Sequence, residues 1–139
     1  MNANGLTQIQ GWGITALRVV VGIVFLMHGG QKLFVWGFGG VAGFLGQVGI
    51  PAPMLAAVVV TLVELLGGLA ILLGLFTRWA AIPLAINMAV AILTVHLRAG
   101  FFLPNGYEFA LTLLAANVAL ILLGSGEASL DSLLGKRAP

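Results

Sequence analysis

The chain has 139 residues, of which 60% are hydrophobic and 7% charged, with a mean hydropathy of +1.14. A water-soluble domain carries about a quarter charged residues, so the solvent of this chain is largely lipid. Six Lys and Arg against four Asp and Glu give a formal charge of +2 with no clustered basic stripe, which excludes a nucleic-acid partner; the lack of cysteine excludes disulfides, thiolate chemistry, Fe–S clusters and Cys-ligated metals within the chain.

Residues 1–13 contain no Lys or Arg, so the positive region of a cleaved signal peptide is missing and the first apolar run is expected to be a retained helix. A hydrocarbon core about 30 Å thick needs about 20 helical residues. That length predicts a first span near Ile14–Phe34, ending in "FLMHGGQKLF". At about 100° per residue, Arg18, Gly22, Phe25, His28, Gly29 and Lys32 fall within about 120° of one another, so this face should point into a bundle, with Gly22 and Gly29 admitting a close neighbour.

The stretch "VWGFGGVAGFLGQVGIPAP" follows. Its glycines make a free-standing helix costly, yet Val41, Phe44, Leu45 and Val48 recur at helical spacing, which predicts a short Gly-rich interfacial or re-entrant helix. No strand precedes the glycines, so a nucleotide loop is excluded, and Gly39 with Gly43 reads as a close helix-packing pair. Pro51 and Pro53 set the entry to a second span near Met54–Phe76. A third span near Arg78–Arg98 follows almost without connector, with Thr77 as its expected cap. "AGFFLPNGYE" supplies turn formers and an interfacial tyrosine before a fourth span near Tyr107–Gly124. Residues 125–139 form a polar tail, and residues 1–139 make one membrane domain. The expected fold is all-α: a four-helix transmembrane bundle. A β-barrel would need many short alternating strands.

Lys and Arg set orientation. Arg18, Arg78, Lys136 and Arg137 share one side and Lys32 and Arg98 the other, which predicts both termini in the cytoplasm of a multi-pass bacterial inner-membrane protein. Position converts to depth at about 1.5 Å per residue. Glu64, Asn87 and Asn117 then form a midplane polar layer, while His28, Gln31, Lys32, His96, Arg98, Asn105 and Glu108 gather towards the outer end. Glu64 is the most informative: a carboxyl at mid-membrane costs about 2.5–3.5 kcal/mol and must be protonated, paired or wet. Glu64 and His28 are therefore the candidate catalytic pair, within hydrogen-bonding reach of each other, directly or through water. Gln31, Lys32, His96, Arg98, Asn105 and Glu108 are candidate binding residues. Bland roles compete. Asn87 and Asn117 read first as interhelical glue, Lys32 as either site or snorkelling anchor, and Arg18 as an orientation signal or a partner for Glu127 and Asp131. His96 lies about 180° round its helix from Asn87, so both should not face the bundle centre.

Together "HGGQKLF", "VELLGG", "LGLFTR", "VHLRAGFF", "NGYE" and "SLD", in this order and spacing, resemble the DoxX family of small bacterial membrane proteins over about residues 14–134. The resemblance implies a four-helix membrane protein associated with redox complexes, in the manner of a thiosulfate:quinone oxidoreductase subunit. His28, Gln31, Lys32, Glu64 and the Asn105–Glu108 segment match the family pattern. Quinone is the lipophilic cofactor to expect, and no covalent cofactor or metal is expected. Haem ligation by His28 and His96 is disfavoured. Besides the lipid bilayer, the expected partners are a redox subunit or further copies of the chain. The competing class is a non-enzymatic partner-binding subunit, small transporter or channel. It draws on the echo of His28, Lys32 and Phe34 in His96, Arg98 and Phe101–Phe102, a hint of two repeated helix pairs.

Overall fold

A computed structural model describes residues 3–135. The orientation signals Lys136 and Arg137 lie outside the described residues. Their regular structure is all helical, joined by short turns, with no strand among the described residues. Helix α1 (Ala3–Gln31) passes through a π-helical turn (Lys32–Trp36) into α2 (Gly37–Gln47). Helix α3 (Pro53–Leu73) follows, then α4 (Thr77–Ala91), which runs through a second π turn (Ile92–His96) and a 3-10 turn (Leu97–Ala99). Helices α5 (Glu108–Leu123) and α6 (Leu130–Leu133) complete the chain. Three helical stretches are long and apolar enough to cross a membrane, 4–47, 53–73 and 77–99, and α5 is a shorter apolar helix.

The helices neighbour one another in a ring: α1 on α3, α3 on α4, α4 on α5 and α5 back on α1, with α2 laid against α3. Phe25, Ile71, Leu84 and Leu120 fill the centre, while Val20, Met27, Leu66, Ile86 and Leu122 stay exposed on the outside, where hydrocarbon is the matching solvent. The α1–α3 seam is the closest. A Cβ on Gly29 would strike the backbone of Leu65, one on Gly68 that of Leu26, and one on Gly22 would come within 2.6 Å of Leu72 N. Gly22 and Gly29 thus admit the neighbour the helical phase predicts.

The Gly-rich stretch forms a short helix, set off from α1 and its π turn by Gly37 (φ 67°, ψ 166°); burial of Val41 and Ala42 against Ala57 outweighs about 1 kcal/mol per glycine of lost propensity. Two local expectations are corrected. Gly39 and Gly43 do not serve close packing, since a Cβ at either would meet nothing within 4 Å. Thr77 does not cap α4. The carboxylate of Asp131 accepts from Phe76 N at 2.9 Å and Thr77 N at 3.3 Å, while the Thr77 hydroxyl is buried without a hydrogen bond.

That carboxylate belongs to a clasp at the tail end of the bundle. Arg18 is 2% exposed. Its guanidinium donates to Ser125 O and Ala128 O in the tail, and to Ile71 O and Leu72 O at the end of α3. Thr15 Oγ1 accepts from the backbone of Glu127 and Ala128. The tail is thus sewn to α1 and α3 by Arg18 and to the start of α4 by Asp131. Arg18 does partner the tail: it hydrogen-bonds the carbonyls of Ser125 and Ala128 and is attracted by the charge of Asp131. Asp131 also holds Phe76 in the left-handed region (φ 49°), where a bulky residue costs about 1–3 kcal/mol.

The two hairpins, α1 with α3 and α4 with α5, repeat one plan. Each has an arginine in its first helix (Arg18, Arg78), a π turn after it, and a positive-φ glycine beyond the turn (Gly37, Gly100). Each second helix ends at another positive-φ glycine (Gly74, Gly124). A Cβ on Gly74 would lie 3.0 Å from Arg18 Nη1, and one on Gly124 3.2 Å from Arg78 Nε.

Candidate functional site

Ala57, Thr61, Glu64, Gly68 and Ile71 are the buried residues of α3. Their spacing of three and four puts them on one helical face, so the face that carries the packing glycine also turns Glu64 inward. Glu64 is 4% exposed. Both its oxygens are engaged: Oε2 lies 2.5 Å from Lys32 Nζ, and Oε1 accepts from Asn87 Nδ2 at 2.9 Å. One carboxylate therefore ties α3 to the end of α1 and to α4.

This differs from the expected His28–Glu64 hydrogen bond. The glycine seam brings α1 and α3 together, and the Lys32 stem is long enough to reach down to Glu64. Lys32 therefore dips inward instead of snorkelling out, with its side chain 17% exposed. Asn87 is a direct partner of the carboxylate, beyond simple glue.

Above this triad lies a cavity of about 450 Å³, walled mainly by apolar side chains including Phe25, Val41, Val60 and Leu113. His28, Lys32, Glu64, Asn87, Thr94 and His96 contribute its polar groups. His28 lies one turn before Lys32, and its ring centroid is 6.3 Å from that of Phe109. His96 and Asn87 line the same cavity despite their nine-residue spacing. The second π turn explains this: an i→i+5 turn is wider than an α turn and resets the helical phase that the 100° rule assumes. Such turns recur at functional sites, and both π turns among the described residues reach this cavity, through Lys32, Trp36 and His96.

The remaining candidates fall elsewhere. Gln31 and Arg98 are exposed and do not line the cavity. Asn105 offers its backbone oxygen to His96 Nδ1 at 2.9 Å. Glu108 Oε1 accepts from Leu103 N at 2.6 Å, bracing the loop that carries Asn105. Asn117 is fully buried, donates to Leu113 O, and leaves Oδ1 without a hydrogen bond. Sequence reasoning missed Trp36, Phe44, Met88 and Phe109 as cavity residues, because nothing about an apolar side chain in an apolar helix separates a ligand wall from a core, and it passed over Thr94, whose hydroxyl bonds its own helix at Val90 O. The described residues hold no cluster of three or more His, Cys, Asp or Glu.

Comparison with known proteins fits this architecture. The model of the DoxX family matches residues 13–97. The chain is 37% identical over 124 residues to "Putative oxidoreductase CatD" of Bacillus subtilis, covering 89% of this chain and 88% of that protein. It is 38% identical over 136 residues to "Uncharacterized membrane protein Rv3486" of Mycobacterium tuberculosis, covering 90% and 83%. With "Inner membrane protein YqjF" of Escherichia coli it shares 31% identity over 136 residues, covering 95% and 99%. No solved structure is significantly similar. With its apolar helices, its family match and relatives of nearly equal length, the chain belongs to the DoxX family of membrane proteins.

Proposed function

We propose that this protein is a redox-linked subunit of the bacterial inner membrane whose cavity binds the head group of a quinone. One observation carries the assignment: a cavity of about 450 Å³, within the range of small-molecule sites, ends on a charged, hydrogen-bonded triad buried among apolar helices. The apolar walls suit a lipid-borne ring. Lys32 supplies N–H donors, His28 hydrogen-bonds a ring oxygen, and Glu64 is the group able to exchange a proton with the bound head. The name of the Bacillus subtilis relative supports a redox setting. In the membrane, α1, α3, α4 with its π turn, and α5 form four spans, α2 is re-entrant, and both termini face the cytoplasm. A partner subunit supplies the remaining electron-transfer chemistry.

The test is titration of the lipid-reconstituted protein with a short-chain quinone, read by quenching of Trp36 fluorescence against a Trp36→Phe control. Saturable quenching that weakens at least tenfold in Glu64→Gln and Lys32→Met supports the site. Absence of saturable binding, with the protein folded by circular dichroism, overturns it.

An alternative assignment as a small transporter is favoured by the repeated hairpin plan, since parallel repeats are a common transporter architecture. Quinol-linked activity unchanged by Glu64→Gln and His28→Ala would favour that class.

A further inference from the structure

The cavity has a second polar pole, on the other hairpin. His96 Nδ1 is 2.9 Å from Asn105 O. A carbonyl oxygen only accepts, so Nδ1 carries a proton, and of the two neutral tautomers this selects the one with its lone pair on Nε2. His96 lines the cavity, and Nε2 is on the side of the ring away from the Asn105 contact.

The loop makes this arrangement stiff. Tyr107 N donates to Gly100 O at 3.0 Å, Glu108 N to Phe101 O at 2.9 Å and Gly106 N to Phe102 O at 2.9 Å. Glu108 Oε1 closes the same loop on Leu103 N. A Cβ on Gly106 would stand 2.5 Å from Phe101 O, so the backbone beside Asn105 is packed with no room for a side chain. The Asn105 carbonyl is therefore held in place for His96, and Glu108 is a positioning residue acting through the loop. This accounts for Asn105 and Glu108 as positioning residues, while Gly106 between them lines the cavity.

We infer that His96 is a specificity-determining acceptor that makes the cavity select the hydroxyl-bearing, reduced form of its ring ligand over the carbonyl form. The inference rests on the quinone-site assignment above. The first hairpin brings the donor pole: the Lys32 ammonium, with Glu64 beside it as an acceptor. A hydroxyl at that pole accepts from Lys32 and donates to Glu64, while a carbonyl there accepts only. At the His96 pole a ligand hydroxyl donates to Nε2, whereas a carbonyl would set two lone pairs against each other. Both poles therefore reward the hydroquinone, and the His96 pole opposes the quinone. The two π turns place these poles, one on each hairpin.

The experiment measures binding of a matched lipophilic hydroquinone and quinone to the reconstituted full-length protein under anoxic conditions. The wild type should bind the hydroquinone roughly tenfold more tightly, the value of one well-made hydrogen bond. His96→Ala should shrink that preference to the part the Lys32–Glu64 pole supplies, by weakening hydroquinone binding and slightly tightening quinone binding. His96→Gln, which keeps an acceptor oxygen near the Nε2 position, should restore part of it. The ¹⁵N chemical shifts of His96 supply a measurement free of mutation: a protonated Nδ1 and bare Nε2 support the inference, and the reverse tautomer overturns it. Equal binding of the two forms to the wild type overturns the inference and leaves the quinone site standing. Saturable binding of neither form overturns both.

Discussion

The Lys32–Glu64 pair is the contact on which the cavity floor depends, and a double-mutant cycle measures it. The perturbations are Lys32→Met, Glu64→Gln and the two together. Removing one partner of a buried ion pair costs about 3–5 kcal/mol, because the survivor is left charged and unpaired. Here Glu64 is 5% and Lys32 17% exposed at the side chain. Glu64 also keeps Asn87 as a donor, and an abandoned Lys32 can swing its flexible stem towards the interface. These reliefs place each single change at about 2–3 kcal/mol. The double variant leaves neither charge, so it should cost little more than either single change, giving a coupling of about 2 kcal/mol. The assay is unfolding in mixed micelles by SDS titration, followed by helical circular dichroism. Single effects that add to within about 0.5 kcal/mol in the double variant would refute the pair as an energetic unit.

Three further outcomes are expected. Gly29→Val forces a side chain into the Leu65 backbone and should destabilise the α1–α3 seam by at least the roughly 1–3 kcal/mol of ordinary overpacking; the same change at Gly39, where nothing lies within 4 Å, should be nearly neutral in the same SDS titration. Asp131→Ala removes the acceptor of Phe76 N and Thr77 N and should cost about 1–2 kcal/mol, with faster proteolysis of the tail as an independent readout. Asn87→Leu strips Glu64 Oε1 of its donor and should cost about 1–3 kcal/mol, an effect that vanishes when Glu64 is already Leu.

Much of the fold was legible because apolar length and helical phase are local properties. The segments near 54–76, 78–98 and 107–124 lie within three residues of the helical stretches 53–73, 77–99 and 108–123, whereas the first helix starts at Ala3, eleven residues before the expected Ile14. Phase placed Arg18, Gly22, Phe25 and Gly29 on the buried face of α1 but also put His28 there, which is exposed, and Glu64 stood out because a mid-membrane carboxyl needs a partner. The identity of that partner was not legible. Lys32 lies 32 positions away, and its choice of Glu64 over the interface depends on how closely Gly29 and Gly68 let two backbones approach. The phase argument misplaced His96 because a π turn is set by tertiary context, and no residue of Ile92–His96 announces it. The clasp at the tail was half legible: the attraction between Arg18 and Asp131 was foreseen, but the carbonyls that Arg18 hydrogen-bonds were not, since backbone groups leave no mark in a sequence.

The clasp also imposes an order of events on synthesis. Arg18 lies 107 and 110 positions before the carbonyls of Ser125 and Ala128 that it bonds. At about 5–20 residues per second, α1 waits roughly 5–20 s between its own emergence and that of its tail partners. Throughout that interval the guanidinium has no tail to bond, and its only partners in the clasp are Ile71 O and Leu72 O at the end of α3. Once residues 125–131 arrive, the same group is sequestered by carbonyls on both sides and becomes a brace. A nascent chain truncated before Ser125 should therefore hold α1 against α3 by half of the clasp, with more accessible backbone around Arg18 than in the full chain.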